Sequence, residues 1–183
     1  VRGQASNGLE LLEIVRADVP DCVVLDYSMP LLDGPGAIER LLQEFKSIKL
    51  LVLTVHENVH YAIRALEAGA HGYMIKSDAV DELVVAIQQV SRGDIYVSPK
   101  VSQEVLATMR RPRREREGLE ALSAREFDAL RILGKGTSMQ QCADEMDVSV
   151  STVSTYRARI LEKLNLTTTA ELIRFAIENQ VSD

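Results

Sequence analysis

Three residues that could handle a phosphoryl group stand at the ends of three separate apolar runs. Asp26 ends the run CVVLD, Thr54 ends LLVLT and Lys76 ends GYMIK. If the three meet, the carboxylate can attack a phosphoryl group while the hydroxyl and the ammonium hold its equatorial oxygens. An added phosphoryl group brings about −1.5 to −2 charges and three acceptor oxygens, enough to pull a hydroxyl-bearing loop inward.

The elements around these residues predict that they do meet. The run CVVLD is bounded by Pro20 and Pro30, as is typical of a buried parallel strand, and helical patterns at 37–45, 61–68 and 80–90 alternate with the three runs. Strands that alternate with helices predict a doubly wound parallel sheet of the flavodoxin-like α/β class, whose functional groups gather at the carboxyl ends of the strands.

Each of the three residues also has a simpler interpretation when taken alone. Asp26 can cap the following turn, Thr54 can fill a strand, and Lys76 can be a surface charge. Their occurrence at three consecutive strand ends favours a shared site.

The motifs LDYSMP and LTVHENVHYAIRALEAGAHGYMIK contain these residues and also Tyr73, three positions before Lys76. They closely resemble the receiver domain of two-component response regulators of the NarL/FixJ branch, over residues 1 to about 97. The resemblance implies that Asp26 accepts a phosphoryl group from a sensor histidine kinase. It also implies that Thr54 and Lys76 bind this group, and that Tyr73 changes rotamer as the output.

One departure from the family concerns its metal. Receivers of this family begin with a strand that ends in an acidic pair holding Mg²⁺, whereas this sequence opens with VRGQASNG, which matches their second strand. Glu10 and Glu13 lie on the next helical pattern and cannot replace that pair. We therefore expect the sequence to be a truncated form of a longer protein. Of the metal ligands it retains Asp26, so Mg²⁺ is expected only if the full protein supplies the pair.

The last third of the sequence predicts helices instead of strands. Helical stretches occur at 124–133, 139–146, 150–164 and 170–178, and Ser123 with Glu126 has the spacing of a capping box. The middle two stretches, joined by a turn at Asp147, have the arrangement of a helix-turn-helix. Many such turns contain Gly, and Asp is among the few other residues that tolerate a left-handed conformation.

The stretch 150–164 has two distinct faces. Val153, Ile160 and Leu164 form its apolar stripe, and short polar side chains lie opposite. Such a face can approach a DNA groove while cations reach the phosphates. If Arg159 and Lys163 of both subunits bind phosphates, the logarithmic salt slope of binding is about −3 to −4. The predicted DNA-binding residues are Ser151, Ser154, Thr155, Tyr156, Arg157, Arg159 and Lys163.

The segment LSAREFDALRILGKGTSMQQCADEMDVSVSTVSTYRARILEKLNLTTTAELIRFA resembles the LuxR-type helix-turn-helix domain over its full length. The resemblance implies that 150–164 is the recognition helix and that 170–178 pairs two subunits on double-stranded DNA. Family members often carry Lys at the positions of Gln140 and Ser154, so we expect modest, salt-sensitive affinity. The residues implied in homodimer formation are Ala170, Ile173, Ala176 and Ile177.

Charge divides the chain into three parts, which we predict to be a receiver domain at 1–106, a linker at 107–119 and a DNA-binding domain at 120–183. Lys and Arg number 9 against 15 Asp and Glu in the first part, 5 against 2 in the second and 7 against 10 in the third. The basic middle part has no apolar period and contains Pro112 and Gly118, which predicts a solvated linker.

Composition excludes several classes of protein. With 183 residues, 46% hydrophobic and 26% charged, the sequence is neither disordered nor collagen-like. It has no apolar run of the roughly 20 residues that a bilayer span needs, so no membrane contact is expected. The absence of a signal-peptide pattern and the presence of only Cys22 and Cys142 argue against a secreted, disulfide-stapled fold and predict a cytoplasmic protein.

Three functions remain open on this sequence. The first is a response-regulator transcription factor controlled at Asp26. The second is a small enzyme with Asp26 and Lys76 as acid and base, but His56, His60 and His71 have no nucleophile at motif spacing, so we predict that the chain is not an enzyme. The third is a phosphorylation-independent regulator whose degenerate receiver mediates dimerisation.

Overall fold

The computed structural model describes residues 1–27, 34–78, 80–112 and 115–181, without the side chains of Gly34 and Pro35. The chain forms two compact units, Val1–Met109 and Arg110–Asp183, and this division falls inside the predicted linker. Pro30, expected to follow the first strand, lies outside the described residues. No helix in the described part of the chain has the length and hydropathy needed to cross a membrane.

The first unit is an α/β fold, as predicted. Among its described residues, the sheet has four parallel strands in the order β1-β2-β3-β4. The three predicted strands and the helices between them are confirmed to within a few residues, whereas β4 and the last helix were not predicted. The elements are α1 Gly8–Ala17, β1 Cys22–Asp26, α2 Gly34–Glu44, β2 Lys49–Thr54, α3 Val59–Glu67, β3 Gly72–Ile75, α4 Val80–Ser91, β4 Tyr96–Val97 and α5 Pro99–Met109.

The register of the sheet brings the predicted site residues to one edge. Asp26 lies opposite Leu53, and Thr54 lies opposite Ile75, the residue before Lys76. The carboxyl ends of β1, β2 and β3 are therefore level. Apolar burial stabilises this arrangement, and one cluster packs α4 against the sheet through Leu51, Met74, Ala86, Val90 and Tyr96.

The opening residues differ from the prediction. VRGQASNG, matched to a strand of the family, has no strand in the structure, and α1 begins at Gly8 with the Asn7 side chain accepting from two backbone N–H groups. An extended segment becomes a strand only where a neighbour satisfies its backbone. In the described sheet β1 pairs with β2 alone, and Val24 on β1 is 42% exposed.

The predicted linker at 107–119 is solvated only in part. Residues 107–109 belong to α5, and Arg116 and Leu119 are buried. Gly118–Ala121 forms a short 3₁₀ helix that buries Leu119. Leu119 is a single apolar residue in a charged segment and forms no periodic pattern. Its burial could therefore not be predicted from the sequence.

The second unit is helical, as predicted, with α6 Ala124–Gly134, α7 Met139–Met146, α8 Val150–Lys163 and α9 Thr169–Glu178. Helix α6 contacts the other three helices. The predicted capping box of Ser123 and Glu126 is present, and the side chains of Ser138 and Ser149 cap α7 and α8. Helix α9 begins one residue before its predicted start because Thr168 and Glu171 form a further capping box.

Candidate functional site

Asp26 and Lys76 are in direct contact at the carboxyl ends of β1 and β3. The Lys76 Nζ donates to the Asp26 Oδ2 at 2.5 Å, and both side chains are 40% exposed. Solvent exposure keeps such a pair weak and lets an incoming group exchange for either partner. The structure thus brings together two of the three residues predicted to handle a phosphoryl group.

Thr54 lies beside this pair but its hydroxyl is engaged elsewhere. The side chain is fully buried, and its Oγ1 accepts from the backbone N–H of His56 at 3.1 Å. The backbone N–H of Lys76 donates to the Thr54 carbonyl at 2.6 Å, which joins the two strand ends. Because the side chain is fully buried, binding a phosphoryl group through this hydroxyl requires the loop after β2 to move and expose it.

Tyr73 is buried within the same unit and is linked to that loop. Its hydroxyl donates to the His56 carbonyl at 2.9 Å. Burial raises the pKa of Tyr73 far above its ordinary value, so the phenol remains a protonated donor at every physiological pH.

The structure gives His56 a part that the sequence reasoning missed. Its backbone contacts both Thr54 and Tyr73, and its ring stacks on Tyr61 with centroids 4.2 Å apart and an interplanar angle of 5°. Tyr27, the residue after Asp26, meets Tyr61 edge-on at 5.0 Å. The position of His56 two residues after Thr54 was only a weak indication of this part in the sequence. Ring stacking depends on the fold and has no local sequence pattern.

A metal site is incomplete in the described part of the chain. Receiver domains in general bind Mg²⁺ at an acidic pocket. Among the described residues, however, no group of three or more His, Cys, Asp or Glu is placed to hold a metal ion. Asp26 alone does not meet the requirement of Mg²⁺ for several oxygen ligands in octahedral geometry.

The helix-turn-helix of the second unit has the geometry expected of it. Asp147 ends α7 in the left-handed conformation, with φ 53° and ψ 49°. Within α8, Val153 and Ile160 are fully buried. Five of the predicted DNA-binding residues are exposed on α8, namely Ser151, Ser154, Thr155, Arg159 and Lys163.

Three of the predicted DNA-binding residues pack or bond within the unit. Tyr156 and Arg157 are half-buried, and the Arg157 guanidinium donates to the Thr169 hydroxyl at 2.7 and 3.0 Å. The Lys163 ammonium donates to the Glu126 carboxylate at 2.6 Å and to the Ala121 carbonyl at 3.1 Å. Its strongest partner is thus a buried carboxylate of the same unit.

The predicted dimer stripe on α9 needs one correction. Ala176 is fully buried, while Ala170 and Ile177 are exposed and Ile173 is half-buried. At 100° per residue Ala176 shares the face of the buried Leu172, and α9 packs on α6. Ala176 therefore belongs to the core of its own unit and is not on a surface that a second subunit can reach.

Comparison with known proteins gives matches to both units. Residues 1–88 match the response regulator receiver domain family, and residues 120–176 match the luxR family of bacterial regulatory proteins. Response regulator GacA of Pseudomonas aeruginosa is 36% identical over 183 residues, covering 100% of this chain and 86% of GacA. Oxygen regulatory protein NreC of Staphylococcus carnosus is 31% identical over 189 residues, covering 98% and 85%.

Solved structures share the fold. RcsB of Salmonella typhimurium superposes with a TM-score of 0.75 at 21% identity, covering 98% of this chain and 84% of RcsB. A LuxR-family two-component response regulator from Aurantimonas sp. SI85-9A1 gives a TM-score of 0.54 at 33% identity, covering 57% of this chain and 75% of the other. The chain therefore belongs to the response regulators that join a receiver domain to a LuxR-type domain.

Proposed function

We propose that Asp26 accepts a phosphoryl group from a sensor histidine kinase and that its phosphorylation controls DNA binding by the second unit. The observation that carries this proposal is the contact of Lys76 with Asp26 at the carboxyl ends of parallel strands, beside Thr54. An Asp26 oxygen attacks phosphorus, and the phosphorus–nitrogen bond of the donor histidine breaks. The bonding pair stays on the imidazole nitrogen, and the product is an acyl phosphate.

Lys76 and Thr54 then stabilise the added charge. The ammonium moves from the carboxylate to a phosphoryl oxygen, and the loop after β2 moves so that the buried Thr54 hydroxyl can donate to another. Because the His56 carbonyl accepts from Tyr73, movement of this loop changes the environment of the Tyr73 hydroxyl. That coupled movement is the proposed output of the receiver.

Mg²⁺ belongs to this proposal only where an acidic pair joins Asp26. Two further carboxylates would supply the oxygen ligands that the described residues lack. We therefore expect the 183-residue chain to take up phosphoryl slowly from acetyl phosphate, with little effect of chelating Mg²⁺. A version with the acidic pair supplied upstream is expected to react faster and to slow on chelation.

The test of phosphorylation is the mass of the intact protein after incubation with acetyl phosphate, followed by peptide mapping. Asp26→Asn is expected to abolish labelling. Asp21→Asn, at the opposite end of β1, is the matched control and is expected to label like the parent. Labelling that persists in Asp26→Asn refutes the assignment of the acceptor.

We propose that the second unit reads double-stranded DNA through α8 as a cytoplasmic homodimer. RcsB, whose fold this chain shares, has been solved bound to promoter DNA and as dimers on DNA. Support here comes from the short exposed side chains Ser151, Ser154 and Thr155 next to Arg159 on α8. Ala170 and Ile177 are the exposed members of the proposed dimer surface on α9.

The test of DNA binding is fluorescence anisotropy of a labelled duplex at several salt concentrations. If a dimer binds two phosphates through Arg159, Arg159→Ala is expected to make the logarithmic salt slope shallower by about 2. Arg174→Ala on α9, where Arg174 pairs loosely with Glu178, is the matched control and is expected to leave the slope unchanged. Equal slopes for the parent and Arg159→Ala contradict the proposed contact.

A second candidate is a phosphorylation-independent regulator that uses its receiver for dimerisation. The incomplete metal site among the described residues favours it. In that case Asp26→Asn leaves both DNA affinity and sedimentation unchanged, with or without acetyl phosphate. The first candidate instead predicts a donor-dependent gain in affinity that Asp26→Asn loses.

A further inference from the structure

The turn that presents Lys76 is held from behind by a residue of a later segment. Ser98, fully buried between β4 and α5, accepts from the Ile75 N–H at 2.9 Å and donates to the Asp78 carboxylate at 2.5 Å. The Asp78 N–H donates in turn to the Ile75 carbonyl at 3.0 Å, which closes the turn around Lys76. A single hydroxyl thus contacts both ends of the turn.

A second residue of the same segment holds the turn from its exposed side. The Lys100 ammonium, in the first turn of α5, donates to the Glu57 carboxylate at 2.9 Å and to the Ser77 hydroxyl at 3.0 Å. The Ser77 hydroxyl donates to the same carboxylate at 3.3 Å. Glu57 lies three residues after Thr54, and Ser77 directly follows Lys76, so one ammonium joins the two loops of the candidate site.

We propose that Ser98 and Lys100 are positioning residues for Lys76, and that through them the start of α5 and the Asp26 site move together. This inference rests on the proposed function of Asp26. Both residues lie in 89–119, the part of the chain between the two family matches. The segment leading out of the first unit therefore shares side-chain contacts with the phosphoryl-binding loops.

The two contacts differ in strength. Removing the Ser98 hydroxyl leaves a buried backbone N–H and a carboxylate oxygen without this partner, and a buried polar group that loses its partner is costly. The Lys100 pair is about half-exposed, with side chains at 51% and 59%, so water replaces much of what it contributes. We expect Ser98→Ala to have the larger effect and Lys100→Met the smaller.

The test uses the whole chain without a phosphoryl donor. Trace acetylation followed by mass spectrometry measures the reactivity of Lys76, with the exposed Lys46 and Lys135 in the same chain as internal references. Loss of either contact is expected to raise the Lys76 rate relative to these references, by about threefold in Lys100→Met and more in Ser98→Ala. Hydrogen exchange at the Asp78 amide is expected to rise by about tenfold in Ser98→Ala.

Three further variants separate positioning from general loosening. Ser102→Ala, whose hydroxyl contacts only the Pro99 carbonyl among the described atoms, is expected to behave like the parent. Lys100→Arg is expected to restore the low Lys76 rate. The double variant Lys100→Met/Glu57→Gln is expected to have no more effect than Lys100→Met alone, because both changes remove one interaction.

An unchanged Lys76 rate in Lys100→Met, which alters only an exposed side chain, overturns the proposal even if Ser98→Ala fails to fold. Equal rises at Lys46 and Lys135 overturn it as well, since they indicate loosening of the whole chain. Failure of Asp26 to accept a phosphoryl group in the earlier labelling assay refutes the proposed function instead, and leaves the Lys76 measurement to stand by itself.

Discussion

Replacing Lys163 by Met is expected to destabilise the helical unit, although the sequence predicts Lys163 to be a phosphate contact. Its ammonium lies 2.6 Å from the Glu126 carboxylate, whose side chain is 3% exposed. Burial alone would raise the pKa of Glu126, but the hydrogen bonds from Lys163 and Ser123 hold it below its ordinary value. Without Lys163, a buried charge loses its only cationic partner among the described contacts.

The cost follows from the exposure of the two partners. Breaking a fully buried ion pair costs about 3–5 kcal/mol. The Lys163 side chain is 36% exposed, so solvent already screens the pair, and Glu126 keeps its bond to the Ser123 N–H at 2.7 Å. We therefore expect a loss of about 2 kcal/mol at pH 7, or about 10 °C in the thermal midpoint of a unit of this size.

Acidification is expected to reduce the difference between the parent and Lys163→Met. A carboxylate whose folded pKa is lowered stabilises the fold above its unfolded pKa of about 4.3, and this contribution is lost as the pH falls through the folded pKa. In the variant, burial without the cation raises the pKa of Glu126. The carboxylate is therefore protonated at a higher pH, which removes the cost of burying its charge. The stability gap should be widest near neutrality and narrow towards pH 4.

The assay is thermal unfolding followed by circular dichroism, with hydrogen exchange in α6 to assign the transition to the second unit. Glu126→Gln/Lys163→Met is expected to recover much of the loss, because no buried charge remains. Arg159→Met, an exposed position on the same helix, is the control and is expected to leave the midpoint unchanged. A Lys163→Met protein that melts like the parent but no longer binds DNA would refute the structural role.

Two further predictions concern backbone positions. Asp147 is left-handed at φ 53°, so Asp147→Gly is expected to raise the thermal midpoint of the second unit slightly and Asp147→Val to lower it, by about 1–2 kcal/mol in free energy. A Cβ built on Gly72 meets Leu51 at 2.7 Å and Val90 at 2.9 Å, so Gly72→Ala is expected to cost about 1–3 kcal/mol in urea unfolding of the first unit. A urea midpoint that is unchanged by Gly72→Ala contradicts the close packing at Gly72. A thermal midpoint that is raised by Asp147→Val contradicts the left-handed conformation of Asp147.

Local patterns in the sequence were enough for the order of the elements. Apolar runs and 3.6-residue periodicity depend on neighbouring residues, so β1 to β3, α2 to α4 and α6 to α9 followed from them. Caps and the left-handed turn at Asp147 are also local, and the structure confirms them. The meeting of Asp26 with Lys76 followed from a topological rule, because parallel strands align their carboxyl ends.

Side-chain partners distant in the sequence were decided by tertiary structure alone. Lys163 and Glu126 are 37 positions apart in the sequence. A helical wheel places Lys163 on α8 but does not show which side chain its ammonium contacts. Ala176 likewise belongs to an apolar stripe on α9 that the sequence assigns to dimer formation. Only the packing of α9 against α6 shows that Ala176 is buried within its own unit. Periodicity depends on residues that are neighbours within one helix or strand. The partner of a charged or apolar side chain is set by packing between elements that are distant in the sequence.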